Sequence, residues 1–315
     1  MSSPHVGGVT DFSTHPGFAK VFSDRLTLGV FFPIEAYTGD VPRMEDQEDL
    51  AEAVEALGFD ALWFRDVPLR DPTFGDVGQI YDPWVYLAHI AAHTRAIALV
   101  TGAIVLPLRH PLHVAKAAAS VDRLSGGRLV LGVATGDRLG ELVAFGIDPD
   151  RRGELFESHL RAIRDAWREA LALDVLPKPP LGDIPVMITG RVRHHLDWIA
   201  AHADAWATYP RPLAAQAALV AEWQRASAGK PFAQSLYIDL DRSPSAPPRQ
   251  IHLGWSLGRD ALVQLLVELR RAGVGHIALN LKYGRRAAAD VVDELGNEVL
   301  PRVRSVDAVS HTPAP

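Results

Sequence analysis

The chain contains no cysteine. Disulfides, thiolate nucleophiles and cysteine-ligated metals are therefore excluded, and a reducing compartment is compatible with the composition. Neither sign of charge dominates. The 32 basic and 38 acidic side chains leave a formal net charge of −6, with both signs interspersed, which argues against a nucleic-acid footprint. No apolar run is long enough to span a bilayer. The opening residues MSSPHVGGVTDFSTHPGF lack a basic segment followed by an apolar one, so no signal peptide is expected. A cytoplasmic enzyme without nucleic-acid or membrane partners is the default expectation. Also absent is the G-x-G-x-x-G turn of a doubly wound dinucleotide-binding sheet, since none follows Ile34.

What the sequence has in quantity is apolar residues, 48% of 315, in alternating strand-like and helix-like blocks. The clearest run lies between 97 and 137. Ile97 to Leu106 reads as a buried strand, followed by Pro107 and a polar-tipped turn at Arg109, His110 and Pro111. Leu112 to Leu124 carries apolar residues at helical spacing and stops at Gly126–Gly127. Leu129 to Ala134 is a second buried strand, ending in Thr135, Gly136 and Asp137. Both strands are apolar on both faces, the pattern of a parallel sheet covered by helices. Small and polar residues collect at the strand ends, where α/β folds place their ligands.

The same alternation repeats along the chain. Strands are predicted near 28, 62, 99, 131, 187, 206, 238 and 278. Helices are predicted over Glu45–Leu57, Pro83–His93, Arg152–Leu171, His195–His202, Leu213–Ala226, Ala261–Ala272 and Ala288–Leu300. Eight such units with right-handed crossovers close most naturally into an α/β (β/α)8 TIM barrel with extended βα loops. Long loops at 65–82, 136–153 and 242–258 are the expected seat of specificity. Residues 1–24 are expected to form a surface arm, 25–305 a single barrel domain and 306–315 a disordered tail.

Five segments, in this order and spacing, resemble the bacterial luciferase-like monooxygenase family: GFDALWFRD (58–66), TGAIVLPLRHP (101–111), RLSGGRLVLGVATGD (123–137), AFGID (144–148) and RAGVGHIALNLKYGRR (271–286). The resemblance spans roughly 26–302. It implies a TIM barrel, usually homodimeric, that binds a reduced flavin such as FMN, or a deazaflavin, at its C-terminal mouth. Members either activate oxygen on reduced flavin, which a separate flavin reductase supplies or which stays tightly bound, or transfer hydride from a deazaflavin to a small organic molecule. A flavin-binding barrel without turnover is the reading from a different class.

The resemblance also implies site residues. A non-proline cis peptide is expected at Gly102–Ala103, as a bulge under the flavin ring, with Phe31 beside that ring. Thr135 stands where luciferase has an arginine and offers a hydroxyl in its place. The turn Gly190-Arg191-Val192-Arg193-His194-His195 opens a helix, and backbone N–H groups there suit a phosphate. Gly190, Arg191, Val192 and His195 are its main candidates. Arg191, Arg193, Arg211, Lys282, Arg285 and Arg286 would suit the acidic tail of a deazaflavin. Val67 stands where many relatives carry an acid–base histidine, so that role passes to the candidates Asp66, His110 and Tyr209, with Tyr283 behind them. Thr208 to Arg211, Asn280 and Lys282 are expected to line the pocket. His110 and His113 read as helix-start residues, and no metal is expected.

Overall fold

A computed structural model describes residues 11–168 and 172–310. Its centre is a closed barrel of eight parallel strands: β1 (Thr27–Phe31), β2 (Ala61–Phe64), β3 (Ala98–Thr101) with its continuation β4 (Ile104–Val105), β5 (Leu129–Ala134), β6 (Val186–Thr189), β7 (Ala205–Thr208), β8 (Phe232–Leu240) and, after a side hairpin, β11 (His276–Asn280). Each pairs with the next, and β11 closes the ring by pairing with both β1 and β8. Register is set by pairs such as Leu28↔Ile277 and Val30↔Leu62. The expected TIM barrel is the observed one.

Strand alternation sorts the apolar residues into two cores. Leu28, Val30, Leu62, Phe64, Leu99, Leu131 and Ile188 face outward and pack under the helices. Phe31, Trp63, Val100, Val130 and Met187 face the lumen, together with Ala61, Ala98, Ala205, Ala207, Ala233 and Ala278. The lumen is thus lined mainly by small residues around two large rings. The helices α2 (Gln47–Ala56), α3 (Pro83–His93), α4 (Pro111–Ser125), α6 (Arg152–Trp167), α7 (Leu196–His202), α8 (Leu213–Ser227), α9 (Arg259–Arg271) and α10 (Ala288–Glu294) form the outer layer. Helix α4 shows why they begin and end where they do. His110 accepts from the Leu112 N–H, Pro111 holds the first turn, and Gly126 closes the helix in the left-handed conformation at φ +76.

The structure departs from the sequence reading at the margins. The arm is not a surface strap: α1 (Pro16–Val21) lies across the N-terminal end of the barrel. There Val21 joins the lumen cluster, with Phe18 and Phe22 packed against it. Gly17 permits this approach, because a Cβ there would sit 2.4 Å from the Arg128 carbonyl oxygen. The loop at 136–153 holds a short helix, α5 (Leu139–Ala144), and the loop at 242–258 holds a hairpin of β9 (Arg249–Ile251) and β10 (Gly254–Leu257). β10 pairs with the far half of β8. The final helix continues through a π turn at 295–299 into α11 (Leu300–Ser310), so the first half of the expected disordered tail, 306–310, is helical. Parts of the arm (1–10), of the long helix (169–171) and of the tail (311–315) lie outside the described residues. Among the described residues no helix is long and apolar enough to cross a membrane.

Candidate active site

The barrel is open at its C-terminal mouth on one side. Gly102, Ala134, Thr189 and Ser235 fall on the lumen face of their strands and are partly exposed, whereas their neighbours Thr101, Val133, Ile188 and Gln234 are buried. The Thr189 and Ser235 hydroxyls are buried and have no hydrogen-bond partner, which is uncommon for a polar group with nothing to bind.

Phe31 and Trp63 form the floor of this opening, with ring centres 5.2 Å apart. Gly102 lies directly against both: a Cβ there would stand 2.4 Å from Trp63 Cε3 and 3.2 Å from Phe31 Cε1. The Gly102–Ala103 peptide is cis. Trp63 is pinned from below. Its indole Nε1–H donates to His276 Nε2 at 2.9 Å, and the two rings stack within 9° of parallel. Since Nε2 accepts, the imidazole proton sits on Nδ1, 2.7 Å from Thr27 Oγ1. The Thr27 hydroxyl in turn donates to the Val21 carbonyl. Complete burial pushes the His276 pKa down to about 3, so the ring under the floor is neutral.

The other side of the mouth is charged. Arg65 follows Trp63 by two positions, on the same strand face, and pairs with Asp76 from the β2–α3 loop at 2.5 Å. Tyr37 and Tyr237 donate their hydroxyls to the same carboxylate at 2.7 and 3.0 Å, and the Gly78 N–H adds a fourth bond at 2.8 Å. Burial alone would raise the Asp76 pKa, but the Arg65 charge and these donors outweigh it and hold the carboxyl well below the usual range. Arg138 donates to the Asp76 backbone carbonyl and lies 4.6 Å from the Phe74 ring centre. Lys282 is 3% exposed. Its ammonium sits 3.7 Å from the Tyr37 ring centre and donates to the Gly39 carbonyl at 2.6 Å. Burial lowers its pKa against the pull of Asp76.

The sequence candidates are thus distributed unevenly. Phe31, Gly102 and Ala103 lie together at the floor. Thr135 is buried one position past Ala134, which holds the lumen face. Gly190 accepts from the Trp206 indole at 2.7 Å. Arg191 is half exposed, 5.4 Å over the Trp206 ring and 3.8 Å from Glu222. Val192 and Arg193 hold left-handed backbone at φ +41 and +61, a conformation rare for a β-branched residue and found mostly where a turn is over-determined by its surroundings. Arg191 and His195 line a polar cleft of about 450 Å³ with Asp197, Glu222 and Arg225.

Two of the three acid–base candidates are committed elsewhere. Asp66 accepts from Arg109 through both oxygens, at 2.7 and 2.8 Å, and from the Val105 N–H at 3.1 Å. It ties the end of β2 to β4, with three of its four acceptor positions taken by Arg109 and Val105. His110 is an exposed helix cap, held by the Leu112 N–H at 3.3 Å. Tyr209 alone continues the lumen face of its strand past Ala205 and Ala207, with its side chain open to solvent. Tyr283 packs on Tyr237 with ring centres 5.0 Å apart. Arg65, Asp76, Tyr37, Tyr237, Thr189 and Ser235 were not among the sequence candidates. The readable signal was the two-residue period running on from Trp63 to Arg65 and from Ala233 to Ser235 and Tyr237. Among the described residues no group of three His, Asp or Glu is arranged to hold a metal.

Comparison with known proteins agrees with this architecture. The model of the luciferase-like monooxygenase family matches residues 26–248. An uncharacterized protein of Mycobacterium tuberculosis (strain H37Rv) is 34% identical over 188 residues, 51% of this chain and 66% of its own length. The 4-hydroxyprotoasukamycin monooxygenase of Streptomyces nodosus subsp. asukaensis is 29% identical over 249 residues, 76% of this chain and 60% of its own. The chain therefore spans about two thirds or less of the length of these relatives. Two solved structures share the fold. One is an F420-dependent secondary alcohol dehydrogenase in complex with an F420–acetone adduct, at TM-score 0.72 and 17% identity over 89% of this chain and 99% of that one. The other is a monooxygenase from Streptomyces bottropensis, at TM-score 0.70 and 18% identity over 87% and 99%. With a family match over most of the barrel and the strand order to support it, the chain belongs to the luciferase-like monooxygenase family.

Proposed function

We propose that this protein is an oxidoreductase that binds reduced FMN at the barrel mouth and oxygenates a small organic substrate with dioxygen. The observation that carries the reading is the one-sided opening over Phe31, Trp63 and Gly102, with the unpartnered Thr189 and Ser235 hydroxyls on its wall. A planar ring system with polar edges fits such a place: the floor is aromatic and apolar, the wall residues are small, and the free hydroxyls would gain partners. The turn at 190–195 would hold the phosphate, with Arg191 supplying charge and the backbone supplying N–H groups. When bound, the flavin supplies the electrons that activate dioxygen. The chain's own part is to seat the ring on Trp63, to present Tyr209 at the rim as a proton-carrying group, and to cover the far side of the mouth with the Arg65–Asp76 loop, which limits water. A separate reductase is the expected source of reduced flavin, and a homodimer the expected assembly.

Hydride transfer from a deazaflavin is the second reading. It is favoured by the basic turn that carries Arg191 and Arg193, with Arg191 sharing a cleft with Arg225, which suits an acidic cofactor tail, and by the F420-dependent dehydrogenase that shares the fold. Fluorescence titrations of the purified chain with FMN and with F420 separate the two, and binding of neither refutes both. Arg191→Ala should weaken whichever cofactor binds by about 1–3 kcal/mol through loss of a charged hydrogen bond. Unchanged affinity would remove Arg191 from the site.

A further inference from the structure

We propose that His276 is the positioning residue of the mouth floor: it fixes the Trp63 ring from below, and helix α1 in turn fixes His276. The inference rests on the reading of the mouth as the cofactor site, and it names the chain's own control of that site from the opposite end of the barrel. The proton pattern of the column has one solution, because both of its ends are unambiguous. An indole N–H only donates and a backbone carbonyl only accepts. Trp63 Nε1–H therefore makes His276 Nε2 an acceptor, at 2.9 Å. The imidazole proton is left on Nδ1, 2.7 Å from Thr27 Oγ1. Thr27 Oγ1 is free to accept it, since its own hydrogen goes to a carbonyl, that of Val21 at the end of α1 or that of Gly275 at 3.2 Å. The other tautomer would set the Nε2–H against the Trp63 N–H, two buried donors face to face, which is costly. Thr27 thus selects the tautomer, and the tautomer selects the orientation of the Trp63 ring.

The pair has no slack. Two glycines flank the indole at its two ends. A Cβ at Gly29 would stand 3.0 Å from Trp63 Cδ1 and 2.9 Å from His276 Nε2, and a Cβ at Gly102 would stand 2.4 Å from Trp63 Cε3. Trp63 and His276 are both buried, and their rings are stacked 5.5 Å apart between centres. Helix α1 also reaches the imidazole by packing: Phe22, its C-cap residue, meets the His276 ring edge-on at 6.3 Å between centres. Above, the ring of Trp63 is in contact with Phe31 and with the Gly102 backbone. Trp63 therefore acts on the mouth through those two residues, and His276 acts through Trp63. Removing the Nε2 acceptor leaves the indole N–H buried and unpaired. Any turn of the ring that relieves this moves Phe31 and Gly102, because close packing leaves it no free space.

The test uses the whole chain and two readouts. The first needs no cofactor: the proton–nitrogen NMR signal of the Trp63 indole, identified by its loss in Trp63→Phe. His276→Phe and Thr27→Val should move that signal upfield and speed its exchange with solvent. His276→Gln, which keeps an acceptor, should restore most of the parent position. The second is fluorescence titration with whichever of FMN and F420 binds the parent. His276→Phe should weaken that binding by about tenfold, the size of one hydrogen bond, and should weaken it no further in a chain that already carries Trp63→Phe. A purely structural role lowers the melting temperature without this dependence on Trp63. Thermal melting of each variant checks folding, and if His276→Phe does not fold, Thr27→Val and His276→Gln still decide. An unmoved indole signal, parent-like affinity in His276→Phe, or an equal loss with and without Trp63 would each overturn the proposal. If the parent binds neither cofactor, the cofactor reading fails and the indole signal alone decides whether His276 holds Trp63, so the two failures are distinguishable.

Discussion

Replacing Asp76 with Asn tests the architecture of the mouth most directly. The carboxylate holds the β2–α3 loop against three strands at once: β2 through Arg65, the segment after β1 through Tyr37, and β8 through Tyr237. Breaking a fully buried ion pair by removing one partner costs about 3–5 kcal/mol. Here the side chains are 19% and 11% exposed, and the amide oxygen of Asn still accepts from one tyrosine. The expected loss is therefore lower, about 2–3 kcal/mol, near the value of a hydrogen bond to a charged group. Urea unfolding at 25 °C and pH 7 measures it. The pH dependence gives a second check. The folded-state pKa of Asp76 is depressed, so the native chain holds this carboxylate ionised where the unfolded chain does not. Its contribution is fully present above the unfolded pKa of about 4 and is lost as pH falls below that toward the folded value. The difference between parent and Asp76→Asn should stay constant from pH 7 to about 4 and then shrink. Coupling with Arg65→Met in a double-mutant cycle should exceed about 1 kcal/mol. Stability within about 0.5 kcal/mol of the parent, with no coupling, would mean that the loop is held by something else.

Two further outcomes follow from single positions. Gly132→Ala should cost well over 3 kcal/mol or abolish soluble expression, because an added Cβ would stand 1.7 Å from the Thr101 carbonyl oxygen across the β3–β5 pair; a parent-like melting curve would contradict the register. His276, kept neutral by burial with its pKa near 3, gains no proton in the native state as the unfolded chain begins to, so stability from this site is lost as pH falls below about 6.5, at about 1.4 kcal/mol per unit. His276→Phe should remove that slope between pH 6.5 and 5 while leaving the Trp63 indole N–H without its acceptor, read as altered near-ultraviolet circular dichroism, and an unchanged slope would show that the ring titrates normally.

The barrel was legible because its signal is local and repeated. Each strand is a short apolar run and most of the outer helices have enough turns for their period to show, so errors at single ends did not matter. The parts that were not legible lack one or the other. Helix α1 has six residues, fewer than two turns, in a segment whose Gly and Pro content reads as loop. The β9–β10 hairpin turns through His252 and Leu253, with Leu253 at φ +49, where neither Asn nor Gly announces the turn.

The site is harder still, because its chemistry depends on pairs distant in sequence. Asp66 is an acid–base candidate until Arg109, 43 positions on, is seen to occupy it. Asp76 is one acidic residue in a long polar loop until Arg65 is seen to point into the lumen. Composition shows how many charges the chain has but not which of them are spent. Asp66 and Asp76 are satisfied many times over, whereas Thr189 and Ser235 retain capacity at the mouth. That residue of unspent polar capacity is the part of a binding site that only tertiary structure exposes, and it is what a ligand must complete.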